Sequence, residues 1–139
     1  MQIKKFYLEV PTDINISAQV LLWFEQINQP PIHNKTIWWE CQTLLIEGLT
    51  NIVEHAHKEL PVETPIQLEV TRCEEHIEIR IFCLGKPFNI EHMLKEIPEL
   101  DDNLNERGRG LKIMYSIADE LNYKVQPDNR YCLFMSKKF

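Results

Sequence analysis

Residues 36–60, TIWWECQTLLIEGLTNIVEHAHKEL, set Trp38, Cys41, Leu45, Leu49, Ile52 and Ala56 at spacings of three and four. That period puts all six on one face of a long helix. Thr36 offers an N-cap, and Pro61 stops the helix at about Leu60 because a prolyl nitrogen cannot continue its hydrogen bonds.

Toward the N-terminus, residues 3–10 alternate in part (Phe6, Leu8, Val10) and close at Pro11, which predicts a strand. Asp13 then caps a helix over 14–29, with Val20, Leu21, Phe24 and Ile27 on one face and Pro30-Pro31 as its end. Toward the C-terminus, residues 66–71 and 76–83 read as β runs joined by a turn at Cys73, Glu74 and Glu75, a hairpin. Residues 85–107 are polar and acidic and broken by Pro87 and Pro98, so they read as a lid, about 86–107, with one or two helical turns. Helical spacing resumes over 108–121 through Leu111, Met114, Ile117 and Leu121. Two short β runs, 122–125 and 131–135, then flank the turn Gln126-Pro127-Asp128-Asn129. The order β-α-α-β-β-lid-α-β-β predicts one α+β domain over residues 1–139. It is a two-layer α/β sandwich whose mixed, mainly antiparallel sheet is covered on one face by helices.

Composition narrows the function. In 139 residues, 15 Lys+Arg stand against 21 Asp+Glu, a net charge of −6, and 44% of residues are apolar. That is a globular composition, which excludes disordered and collagen-like classes. The acidic balance without a basic patch disfavours nucleic acid as a partner. Cys41, Cys73, Cys83 and Cys132 are widely spaced, form no CxxC pair and sit in apolar runs, so they read as buried free thiols. That points to a reducing, cytoplasmic setting. No run approaches 18 apolar residues and the first residues lack a signal-peptide core, so no membrane association is expected.

Glu47, Asn51 and His55 fall at i, i+4 and i+8, so a carboxylate, an amide and an imidazole share one helical stripe. It is either a solvated helix edge or one wall of a site. An Asn beside a buried face needs partners for its amide, and a cation or ligand would supply them. Gly85 leaves a predicted strand, and Gly108-Arg109-Gly110 opens a predicted helix whose free N–H groups suit an anion. A plain loop-to-helix junction is the alternative. His55 and His57, at i and i+2, point about 200° apart, which rules out a zinc pair on a regular helix. Trp38 and Trp39 cannot both face one core, which leaves one for a partner. The lid acids Glu96, Glu99, Asp101, Asp102 and Glu106 read as a solvated loop or as a partner-facing surface.

Four segments in order, LIEGLTNIVEHAH (45–57), IRIFCLGKPFN (79–89), ERGRGLKIMYSIADELNY (106–123) and NRYCLFMSKKF (129–139), resemble the ATP-binding domain of the anti-sigma factor serine kinases. These belong to the superfamily of gyrase, histidine-kinase and mismatch-repair ATPases. The resemblance implies ATP and Mg²⁺ as cofactors, Glu47 as general base and Asn51 as the Mg²⁺ ligand. A carboxylate suits proton abstraction, and an amide oxygen suits a hard cation. It implies that His55 lies close to the pocket, that Gly85 stands at its adenine end, and that Gly108, Arg109 and Gly110 cradle phosphates. The implied partners are a sigma factor and an antagonist (anti-anti-sigma) protein whose serine is phosphorylated, with a homodimer as the assembly.

The chain departs from the family pattern twice. Cys83 stands where the family has an adenine-reading aspartate, and a thiol accepts hydrogen bonds poorly. Lys112 stands where a further glycine follows Gly-x-Gly-Leu, either narrowing the loop or reaching a phosphate. Three readings therefore stay open: a kinase that also sequesters a sigma factor, a non-catalytic binding module of the same fold, and an unrelated α+β domain in which the motifs arise by chance.

Overall fold

The computed structural model describes residues 3–84 and 106–139, so Gly85 and the greater part of the expected lid lie outside the described residues. Five strands, β1 (Lys4–Val10), β2 (Ile66–Arg72), β3 (His76–Cys83), β4 (Glu120–Val125) and β5 (Tyr131–Lys138), form one sheet in the order β1-β2-β3-β5-β4. Every neighbouring pair is antiparallel, so the mixed character expected from the sequence is absent from the described sheet. Three helices, α1 (Ser17–Phe24), α2 (Lys35–Asn51) and α3 (Glu106–Ile117), complete the α+β sandwich. Strand alternation explains the layering: along β3, Ile77, Ile79, Ile81 and Cys83 are buried, while His76, Glu78, Arg80 and Phe82 are half-buried on the opposite face.

The helix expected over 14–29 is a short α-helix between two 3₁₀ turns, Ile14–Ile16 and Glu25–Ile27. Asp13 caps it as expected, accepting from Asn15 N at 2.9 Å. Stacking of Phe24 on Trp38, with centroids 4.9 Å apart, ties α1 to α2. Trp39 is 59% exposed, so of the adjacent pair one packs and the other faces outward. Cys73 is half-buried and corrects the expectation of four buried thiols.

Helix α2 starts two residues earlier than a Thr36 cap implies. Its cap is Asn34, not Thr36, because Asn34 Oδ1 accepts from both Thr36 N (3.0 Å) and Ile37 N (3.2 Å). Leu44, Leu45, Leu49 and Ile52 are almost fully buried, and each contributes about 1.5–3 kcal/mol of transfer free energy. The described part of helix α3 runs from Glu106, with the Gly-Arg-Gly inside it, and the helix ends at Ile117 rather than Leu121. Lys137 Nζ donates to the Ile117 carbonyl at 3.0 Å, Asp119 N donates to Ser136 O at 2.8 Å, and Leu121 pairs with Met135 in the sheet. Leu121, Tyr123 and Val125 also fit a strand alternation, and pairing with β5 decides between the two periods. Among the described residues no helix is long and apolar enough to cross a membrane.

The height of α2 above the sheet is set at Gly48. A Cβ there would stand 2.7 Å from Met135 Cε, 2.9 Å from Ile81 Cδ1 and 3.3 Å from Leu133 Cδ2. The nearest two are ends of flexible side chains, so a methyl is tolerated by a small shift and a larger group is not. In Gly48→Ala an overpacking cost of about 1–3 kcal/mol is offset by about 1 kcal/mol of helix propensity. A net loss of about 0–2 kcal/mol is expected in urea unfolding, with a much larger loss for Gly48→Leu. Equal stability of the two variants would show that α2 is not held down at this point.

Candidate functional site

The second half of α2, the end of β3 and the first turns of α3 converge. Asn51 is 4% exposed, and its Nδ2 donates to Glu47 O (2.9 Å) and lies 3.9 Å from Met114 Sδ on α3. Both contacts use the nitrogen. Among the described residues no donor reaches Oδ1, and that oxygen is not one of the buried atoms left without a partner, so a buried residue presents a hard oxygen acceptor to accessible space. Met114 follows Gly110 by one helical turn, so the contact sets Asn51 beside α3 one turn below its Gly-Arg-Gly.

Glu47 precedes Asn51 by one turn of α2 and is half-buried. Burial, and secondarily the neighbouring Glu54 carboxylate, raise its pKa above the ordinary carboxylate value. A carboxylate poised closer to neutrality is a better proton acceptor at physiological pH than a solvated one.

Beyond Asn51 the regular helix gives way to one π turn, Ile52–Ala56, closed by His57 N donating to Ile52 O at 2.8 Å. The helix expected to run to Leu60 therefore changes pitch, and His55 falls within the wide turn, off the regular stripe of Glu47 and Asn51. The same turn carries His57 into the interior, where it is 1% exposed. On an unbroken α-helix His57 would point about 120° away from the middle of the apolar stripe, so its role was invisible to a strict 3.6 period. Its Nε2 accepts from Leu84 N at 2.9 Å, which assigns the proton to Nδ1. That nitrogen lies 2.9 Å from Thr12 Oγ1, whose hydroxyl donates to Thr64 O at 2.7 Å. One neutral imidazole thus joins the chain after β1, the end of α2 and the exit of β3.

Cys83, at that exit, is 1% exposed with Sγ 3.5 Å from Tyr123 Oη, and Tyr123 stacks on Tyr131 at 5.3 Å. Burial raises the thiol pKa and outweighs the Tyr123 hydrogen bond, so the group is a neutral thiol at physiological pH. Gly108, Arg109 and Gly110 lie in the opening turns of α3, and Lys112 is half-buried on the same helix. Two shallow grooves among the described residues lie elsewhere, on the face of the sheet away from the helices. One, of about 420 Å³, runs past Tyr7, Gln67, Phe82 and Arg130, and one of about 320 Å³ runs past Arg80, Asn122 and Phe134.

Burial lowers the pKa of His57, and its bond from Leu84 requires the neutral ring. The native state therefore binds fewer protons here than the unfolded chain. The resulting stability is fully present above the unfolded value of about 6.5 and is lost as pH falls through the folded pKa. In His57→Phe a loss of about 1–3 kcal/mol at neutral pH is expected from the broken network. Denaturant midpoints of wild type and variant should converge as pH falls from about 7.5 to about 5, and a constant difference would overturn the assignment.

The profile of the histidine kinase-like ATPase domain family matches residues 10–137. Over 96 residues, 66% of this chain, the sequence is 32% identical to a protein named serine-protein kinase RsbW from Bacillus licheniformis. The match spans 58% of that relative's length. A chain from the crystal structure of the SiaB-SiaC complex of Pseudomonas aeruginosa superposes with a TM-score of 0.64, covering 96% of this chain and 89% of that one at 16% identity. That is a likeness of fold. With the profile running through all three helices and four of the five strands, the chain belongs to the histidine kinase-like ATPase domain family.

Proposed function

We propose that this domain binds ATP with Mg²⁺ and phosphorylates a serine of an antagonist protein, and so governs how much of a sigma factor is sequestered. The observation that carries the reading is Asn51. It is buried, tethered to α2 and α3 through Nδ2 alone, and has Oδ1 unclaimed beside the Gly-Arg-Gly end of α3. Asn51 Oδ1 would hold Mg²⁺, which when bound neutralises phosphate charge. Backbone N–H groups left unpaired at the N-terminal end of α3 would suit the phosphates. Glu47 accepts the serine hydroxyl proton as that oxygen bonds to the γ-phosphorus and the bond to the bridging oxygen breaks, releasing ADP. Similarity to a protein named a serine-protein kinase supports the reaction, and a neighbour solved in a two-protein complex supports a protein partner. Exposed Trp39 supports a contact surface for the sigma factor, the antagonist or a second copy of the chain.

Cys83 favours the second reading, a binding module with weakened nucleotide affinity. A buried neutral thiol beside a tyrosine cannot replace the charge-assisted acceptor that the resemblance places there for adenine.

Two measurements separate the readings. Glu47→Gln is expected to keep Mg-ATP affinity by calorimetry while phosphoryl transfer to the antagonist falls about 10²–10⁴-fold, whereas Asn51→Ala weakens both. Because the Glu47 pKa is raised, the acid limb of the rate profile should lie above the ordinary carboxylate value of about 4.3. Equal transfer by wild type and Glu47→Gln would remove the catalytic assignment and leave the binding module.

Cys83→Asp is expected to tighten ATP about 10- to 100-fold, the equivalent of one charge-assisted hydrogen bond, and to leave GTP unchanged. It should also lower the melting temperature of the ligand-free protein, since an unpaired carboxylate is then buried. Unchanged ATP affinity would show that Cys83 does not occupy the adenine position.

A further inference from the structure

At the tip of the β2–β3 hairpin, away from every residue assigned above, Cys73, His76 and Glu78 each direct one ligand atom into a common space on the open face of the sheet. The three atoms lie within 4.8 Å of one another. Four-residue chain reversal, with Cys73 N donating to His76 O at 2.9 Å, brings the thiol and the imidazole together. Strand alternation then places Glu78 on the same side as His76. Ligand atoms on a zinc ion, at bond lengths of about 2.0–2.3 Å, stand about 3.3–3.7 Å apart, so a small contraction closes the set.

We propose that Cys73, His76 and Glu78 form a binding site for one divalent transition-metal ion of the Zn²⁺ class, with the fourth position open to water. A thiolate, an imidazole and a carboxylate are the donors such an ion takes, and the thiolate selects against Mg²⁺ and Ca²⁺. The carboxylate is already oriented. Arg80 Nη1 donates to Glu78 Oε1 at 2.9 Å, while Oε2 lies 3.0 Å from His76 Nε2; an ion entering between them replaces that hydrogen bond, with the imidazole proton carried on Nδ1. Arg80 is itself fixed over the Phe134 ring at 4.7 Å, which gives the carboxylate the kind of outer support that tunes metal ligands.

A second observation points to the same place. Thr71, directly opposite Glu78 in the strand register, is 3% exposed, and its Oγ1 has no hydrogen-bond partner. A buried hydroxyl without a partner costs free energy, and this one stands beside the Glu78 ligand with its donor free to support the carboxylate. Binding expels the Cys73 thiol proton to solvent as the sulfur–metal bond forms, so affinity rises with pH. Burial and the Glu78 charge raise the Cys73 pKa, opposed by Arg80 and Lys5, and a cation in the site reverses the effect of Glu78.

The test is titration of the full chain, in metal-free reducing buffer, with Co²⁺ followed by competition with Zn²⁺. One equivalent of Co²⁺ is expected to give a thiolate-to-cobalt charge-transfer band, displaced by one equivalent of Zn²⁺. Cys73→Ser should abolish the band, while His76→Ala and Glu78→Gln should each weaken binding at least about tenfold. Thr71→Val should weaken it about tenfold without touching the ligands. Circular dichroism melts identify any variant that has lost its fold, and the remaining variants then decide. A band that survives in Cys73→Ser, or unchanged affinity in both His76→Ala and Glu78→Gln, would overturn the site, as would binding that never saturates at one equivalent.

Discussion

The absence of a side chain at Gly48 governs how α2 meets the sheet. Met135, Ile81 and Leu133 fill the space that a Cβ would need, so the helix backbone rests directly on β3 and β5. That close approach buries Leu44, Leu45, Leu49 and Ile52 almost completely. It also leaves the flank of α2 toward α3 half-enclosed, and Glu47 and Asn51 stand on that flank. Partial desolvation raises the Glu47 pKa and makes an unsatisfied Asn51 amide expensive. The chemistry of the candidate site is therefore a consequence of helix height.

Two polar fasteners hold the site elements to one another. Asn51 bridges α2 and α3 through a carbonyl and a thioether. His57 bridges the end of α2 to Thr12 and Leu84, and its single proton can satisfy the network in only one tautomer. The second fastener depends on the π turn, which costs regular helical geometry and delivers a buried imidazole. Such turns often occur at functional sites, and this one fixes the strand end from which the chain passes to Gly85.

The two faces of the sheet serve different ends. One faces the helices and is mainly apolar, with Arg72 donating to the Ile27 carbonyl and Lys137 to the Ile117 carbonyl. The other carries Arg80 over Phe134 and Arg130 over Phe82, with Arg80 also paired to Glu78 and 4.0 Å from Glu69. Guanidinium groups lying on aromatic rings cover apolar surface while keeping their charge near water. Polar order on this face reaches the hairpin tip, where Cys73, His76 and Glu78 meet.

Local rules made much of the fold legible. Alternation marked β1, β2 and β3, the 3.6 period marked α2, Asp13 marked the cap of the first helical segment, and the motif order indicated the family. Where two local readings competed, the tertiary structure chose. Leu121 fits a helix or a strand, and the ladder with Met135 made it a strand. The sequence pointed to Thr36 as the helix cap, and backbone geometry gave the position to Asn34. His57 lies off the apolar stripe until a π turn rotates it inward, and Cys73-x-x-His76-x-Glu78 becomes a cluster only once a hairpin folds those residues onto one face. Sequence periodicity encodes which face of an element is apolar, because that property is local. Which polar groups share a buried space depends on long-range pairing and helix height, and these exist only in the folded chain.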